Sequence, residues 1–212
     1  MKTIALFLHQ PYCSVQSNNG IIKALSPHYS FKIFTRHDLE DDFFDDVDCV
    51  CFPGGFGDAS SFEYLTNQHQ QKIKQFVEQG GKYLGICMGA YWAGSEYFNI
   101  LDNVDAVQYI TRPGTDTRRP HAKALPITWN SEQHKMFFYD GCALIGNGEY
   151  KTVATYANGD AMAIIQNNIG LIGCHPESEP HWYNSYTWLR GKYHNGAHHT
   201  LLLDFVNKLM NK

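Results

Sequence analysis

KYLGICMGAYWAGSEY, residues 82–97, decides how this chain is read. A short apolar run over residues 82–86 passes through Gly85-Ile86-Cys87-Met88-Gly89 into residues that can open a helix. A cysteine at such a junction, with a glycine two places before and two after, reads as the end of a buried strand turning sharply into a helix. The glycines relieve crowding at the turn, and the serine version of the pattern is the nucleophile elbow. A side chain placed there projects beyond the carboxyl edge of the sheet, where open α/β folds bind ligands. It also lies beside helix N-terminal amides, whose partial positive charge favours a thiolate. Taken alone, the pattern fits equally a core cysteine packed beside two glycines, since free cysteines are among the most buried residues.

On the N-terminal side, strand-like and helix-like stretches alternate. Residues 3–9, 29–35, 47–52 and 82–86 read as strands, the third nearly all apolar and so buried on both faces. Ser17 or Asn18 is placed to cap a first helix. Residues 66–79 read as a second helix, with Ile73, Phe76 and Val77 at helical spacing and Gly80-Gly81 ending it. Residues 38–46 read as a solvated acidic connection, and Pro53-Gly54-Gly55-Phe56-Gly57-Asp58 as a loop. This alternation predicts parallel pairing in a doubly wound sheet with helices on both faces. From residue 104 to 173, short strands separated by Asn-Gly, Asp-Gly and Pro-Gly signals predict antiparallel hairpins added to that sheet. Residues 169–174 return to a buried strand, and helices are expected over 179–189 and 200–210. With no internal repeat or linker, the 212 residues read as one domain.

Hydrophobic residues make up 43% and charged residues 18%, as in ordinary globular chains. A net charge of −4, with Arg118-Arg119 the only adjacent arginines, argues against nucleic acid or a membrane surface as partner. No apolar run approaches the ~18 residues of a membrane span. The apolar part of the start, Ile4–Leu8, is too short for a secretion signal and reads as the first strand, which places the protein in the cytoplasm. The six cysteines lie mostly in apolar runs, so a disulfide framework is not expected.

Two further segments join Cys87. Near the C-terminal end, a buried strand leads into His175-Pro176-Glu177. Residues two apart on an extended chain share a side, so Glu177 can reach the His175 imidazole while Pro176 ends the ladder. That is the base and orienter a nucleophile requires, and both pieces open on the same sheet edge. After the third strand, Gly54 and Gly55 let backbone amides approach a ligand; with the Met88 amide they can form an oxyanion hole.

The order Pro-Gly-Gly, Gly-x-Cys-x-Gly, His-Pro-Glu resembles the class I glutamine amidotransferase superfamily. The resemblance implies a flavodoxin-like fold and a triad of Cys87 as nucleophile, His175 as base and Glu177 as orienter, with Gly55 and Met88 as oxyanion donors. A narrower resemblance runs through nearly the whole chain, to the N-terminal domain of biotin–protein ligases and its stand-alone bacterial relatives. It rests on Phe52-Pro53-Gly54-Gly55, Gly80–Tyr91, Arg112-Pro113-Gly114-Thr115, Tyr139-Asp140-Gly141-Cys142, residues 154–157 and Gly173–Glu177. Two features depart from it. Glutamine-hydrolysing members carry Gln four residues after the nucleophile, where this chain has Tyr91, which puts glutamine as substrate in doubt. The ligase catalytic domain is missing, so the chain is not a complete biotin ligase. A PfpI-type branch is disfavoured, because it places a carboxylate where this chain has His9 and Gln10.

Tyr91, Arg112, Thr115 and Tyr139 are expected to border the substrate pocket, with Tyr109 and Arg118 in the same segments; Arg112 offers a planar fork for a carboxylate or phosphate. Cys49 and Cys51 share a strand face and read as core. His194, His198 and His199 read as a solvated capping cluster, and no metal or cofactor is expected. Two functions stay open: a hydrolase or amidotransferase-like enzyme acting on a small-molecule amide or acyl substrate, and a catalytically silent ligand-binding or regulatory module. No partner subunit is identifiable.

Overall fold

The computed structural model describes residues 1–9, 13–56 and 59–211, with only the backbone of Ala59 and Ser60. The readings of Gln10, Gly57 and Asp58 lie outside the described residues. The parallel body is built from β1 (Thr3–Phe7), α1 (Val15–Leu25), β2 (Ser30–Phe34), β3 (Cys49–Phe52), α2 (Ala59–Glu63), α3 (Asn67–Glu78), β4 (Lys82–Ile86) and α4 (Met88–Trp92). The antiparallel part follows as β5 (Val104–Gln108), β6 (Lys123–Trp129), β7 (Glu132–Phe138), β8 (Cys142–Gly146), β9 (Lys151–Tyr156) and β10 (Ala161–Gln166). The chain then returns through β11 (Ile169–Ile172) to α5 (Pro180–Asn184) and α6 (Ala197–Met210).

The strand order is β2-β1-β3-β4-β11-β10-β9-β6-β7, with β8 on β10 and β5 on β8. The first five strands run parallel, in the 2-1-3-4-5 order of flavodoxin-like sheets. Beyond β11 every pairing is antiparallel. Period-2 alternation sorts the strands onto two cores. Ile4, Leu6, Cys49, Cys51, Leu84 and Ile86 pack beneath Ile21 and Leu25 of α1 and Leu202, Phe205 and Leu209 of α6. Ala5, Phe7, Val50, Phe52 and Tyr83 face the other way, beneath Ile73 and Val77 of α3 and Trp92 of α4. Both faces of the parallel body are thus covered, which is why β3 and β4 carry almost no polar side chain.

Three local expectations are corrected. The first helix begins earlier, because Ser14 rather than Ser17 or Asn18 is its cap: Ser14 Oγ accepts the Ser17 N–H at 3.2 Å. The helix expected over 179–189 stops at Asn184 and resumes as a single 3-10 turn, Thr187–Leu189. Ser185 Oγ donates back to the His181 carbonyl at 2.8 Å, the local bond by which serine competes with helix continuation. The last helix starts three residues early at Ala197, where His194 Nδ1 accepts the His198 N–H at 3.2 Å. The histidines therefore cap a helix, but they are not solvated: His198 is buried and stacks on His194 with ring centroids 4.1 Å apart.

Candidate active site

Cys87 sits between β4 and α4 at φ 50°, ψ −101°, a backbone conformation a side chain adopts only under constraint. Its N–H donates to the Ile172 carbonyl at 2.8 Å, tying the elbow to the end of β11. The flanking glycines are required by close approach. A Cβ at Gly85 would meet the Gly89 carbonyl oxygen at 2.4 Å, and one at Gly89 would meet that of Phe52 at 2.1 Å. Strand β11 ends beside β4, with Ile172 opposite Ile86, so His175 and Cys87 emerge on one edge.

His175 and Cys87 line the same cleft, and His175 Nδ1 lies 2.8 Å from Glu177 Oε1. Glu177 is fully buried. The same Oε1 accepts from Ser17 Oγ at 2.7 Å, and Ser17 Oγ accepts the Gly54 N–H at 3.0 Å. A buried relay thus runs from the Gly54 amide through Ser17 and Glu177 to the imidazole. Burial by itself would drive His175 toward neutrality. Its neighbours Cys87 and Glu177 outweigh it and hold the His175 pKa up at about 10. The Cys87 thiol also has the Tyr139 carbonyl as acceptor, at 3.7 Å. By contrast, burial pushes the thiol of Cys13 up to about 12 and those of Cys49, Cys51, Cys142 and Cys174 higher, so these are inert core groups.

Cys87 and His175 open into a cleft of about 910 Å³, lined also by Gly54, Gly55, Met88, Tyr91 and Tyr139. The Gly54 amide is occupied by Ser17, which corrects its expected role as an oxyanion donor. Gly54 is there because a Cβ would meet His175 Cε1 at 2.5 Å. The Gly55 and Met88 amides have no acceptor among the described residues. Tyr91 lines the cleft with its hydroxyl donated to the Asp140 carbonyl at 3.1 Å.

The expected pocket residues Arg112 and Thr115 do not line the cleft. Arg112 is engaged by Asp160, Nε to Oδ2 at 2.7 Å and a second bond at 3.2 Å. Thr115 is buried, with its hydroxyl on the Thr117 carbonyl. Tyr109 stacks on Tyr156 and bonds Asp116, and Arg118 is exposed. Sequence reasoning missed Ser17, whose polar side chain inside a helix carried no signal beyond capping. It also missed Trp182 and Phe137, whose rings stand edge-on to His175 with centroids 5.3 and 5.9 Å away. Among the described residues no group of three or more His, Cys, Asp or Glu is arranged to hold a metal, and no helix is long and apolar enough to cross a membrane.

This is the fold of the class I glutamine amidotransferases. A glutamine amidotransferase from Thermotoga maritima superposes with a TM-score of 0.70 at 11% identity, covering 100% of this chain and 99% of that one. PurLQS from Thermotoga maritima superposes with a TM-score of 0.65 at 14% identity, over 99% and 100%. A cytoplasmic protein from Salmonella typhimurium LT2 gives 0.60 at 12% identity, over 99% of both chains. In sequence, residues 12–108 match the family described as "Biotin-protein ligase, N terminal". No curated protein matches the chain in sequence.

Proposed function

We propose that the protein is a cysteine hydrolase or amidotransferase-like enzyme acting on a small amide or acyl substrate, with Cys87, His175 and Glu177 as its triad. The observation that carries this reading is one geometry. A cysteine in a strained elbow opens into the same cleft as a buried histidine, itself held by a buried carboxylate. Cys87 Sγ attacks the substrate carbonyl carbon as the thiolate. The oxyanion forms against the Met88 and Gly55 amides. His175 passes its proton to the leaving amine, leaving an acyl-thioester on Cys87. Water or an acceptor amine, deprotonated by His175, then attacks the thioester and frees the thiolate. Glu177 holds the imidazole in the required tautomer and offsets its charge. A cytoplasmic location and a small-molecule substrate belong to the same proposal.

A second reading, a silent ligand-binding module, is favoured by the Cys87 thiol having the Tyr139 carbonyl as acceptor, an arrangement suited to the protonated form. Alkylation of each cysteine against pH, read by mass spectrometry on wild type and His175→Ala, separates the two. The enzyme reading expects Cys87 to react far faster than the other five near pH 6–7, and the substitution to slow it. A Cys87 that behaves as an ordinary thiol with a pKa near 8.5, or is protected throughout, supports the silent module instead.

A further inference from the structure

The cleft at Cys87 has a marked charge. Three carboxylates from separate segments line it: Glu96 beyond α4, Asp105 on β5, and Asp140 in the turn between β7 and β8. Among the described residues no lysine or arginine lines it. The one basic residue among the described lining, His175, is committed to Glu177. Arg112, from the expected pocket segment, is bound to Asp160 and does not line the cleft. Asp105 is fixed by the Ser95 N–H and hydroxyl at 3.1 and 2.6 Å, and Asp140 by both contacts of Gln108 Nε2 at 3.1 and 2.9 Å. Their charges therefore hold fixed positions. Glu96 is exposed at the rim. Tyr97, Tyr139, Trp182 and Tyr186 also line the cleft, aromatic rings of the kind that bind cations.

We propose that the substrate of this site carries a positive charge, an ammonium or guanidinium, and no carboxylate near the scissile carbonyl. This rests on Cys87 being the nucleophile. A free α-amino acid amide such as glutamine is a zwitterion: its ammonium suits the carboxylates, but its own carboxylate meets three like charges and no lysine or arginine among the described lining residues. An amine-bearing amide without that carboxylate brings only the complementary charge, which the carboxylates concentrate in the cleft.

Three thiol reagents that differ in charge test this on the intact protein: methyl, 2-aminoethyl and 2-sulfonatoethyl methanethiosulfonate. Each transfers its thioalkyl group to the thiolate, forming one S–S bond and releasing methanesulfinate. The readout is the modification rate at Cys87 by mass spectrometry. The ratio of cationic to anionic rates should exceed that of 2-mercaptoethanol about tenfold. It should shrink in high salt and in the Glu96→Gln/Asp140→Asn variant. Glu96→Gln alone, at an exposed position, should lower it partway and guards against misfolding of the double variant. If the neutral reagent modifies Cys87 but the ratio equals that of the free thiol, or the variants leave it unchanged, the charge proposal falls while the nucleophile stands. If the neutral reagent modifies Cys87 only after unfolding, the catalytic reading falls and takes this proposal with it.

Discussion

Removing one hydroxyl tests the relay behind His175. In Ser17→Ala the Gly54 N–H loses its acceptor at 3.0 Å and Glu177 Oε1 loses a donor at 2.7 Å, at a position shut off from solvent. Glu177 Oε2 already has no hydrogen-bond partner among the described residues. The carboxylate is then left with His175 alone. An orphaned buried amide costs about 1–3 kcal/mol, and a hydrogen bond to a charged group is worth about 1.5–3 kcal/mol. Alanine returns about 0.5 kcal/mol through its higher helix propensity at this position in α1. The net expectation is a loss of about 2–5 kcal/mol. With a urea m-value of about 2–3 kcal/mol/M, the unfolding midpoint should fall by about 1–2 M. The Glu177→Gln variant and the double variant complete a cycle, and the coupling between the two positions should exceed about 1 kcal/mol. A midpoint shift below about 0.2 M, or a coupling indistinguishable from zero, would show that Ser17 is a bystander and that His175 is oriented without it.

Three other outcomes follow from the buried histidines and the elbow. Burial first, then the neighbouring histidines, depresses His198 to about 3, and burial depresses His194 to about 4, so the native state keeps both rings neutral. The unfolded chain protonates them below about 6.5, so stability is present above that pH and is lost as pH falls toward 3. His198 alone accounts for about 2 kcal/mol between pH 6.5 and 5, and urea midpoints across that range should rise more gently with pH in His198→Phe. His175 has the opposite sign: its raised pKa gives stability that fades as pH rises from about 6.5 through 10, so His175→Phe should flatten the alkaline limb. At the elbow, Gly89→Ala puts a methyl 2.1 Å from the Phe52 carbonyl oxygen, a backbone clash expected to cost about 3 kcal/mol or more. Unchanged thermal unfolding in that variant would remove the reason given for the glycine.

The parallel body was legible because its signals are local. β4 runs over the residues the sequence indicates, and Cys87 lies where the glycine spacing puts it. The pair His175 and Glu177 was legible too, because period-2 geometry alone brings their side chains together. What escaped depended on contacts remote in sequence. Nothing around Ser17 announces that its partner lies 160 positions away. Gly54 reads as a ligand-facing amide until Ser17 is seen to occupy it. Arg112 reads as an anion clamp until Asp160 takes both of its contacts. Each correction concerns a polar group whose partner could be found only in three dimensions, and buried polar groups are the ones obliged to have a partner.

The antiparallel extension bears on function more directly than its place at the far side of the sheet implies. The path from β10 through β9 and β6 to β7 curls back until Phe137 forms an isolated bridge with His175, whose N–H donates to the Phe137 carbonyl at 2.9 Å. His175 is therefore held on its ring by Glu177 and on its backbone by a strand that arrives 38 residues earlier in the chain. The same stretch supplies Tyr139, whose carbonyl approaches the Cys87 thiol, and Asp140, which holds Gln108 of β5. The family match ends at residue 108, so it includes Cys87, Gly55 and Met88 but not His175, Tyr139, Asp140 or Trp182. Most of the cleft's lining, Glu96 and Asp105 included, falls within that match, while Phe137, Tyr139, Asp140, Trp182, Ser185 and Tyr186 close the far side from beyond it. Substrate identity has to be argued from the charge and shape of both parts together.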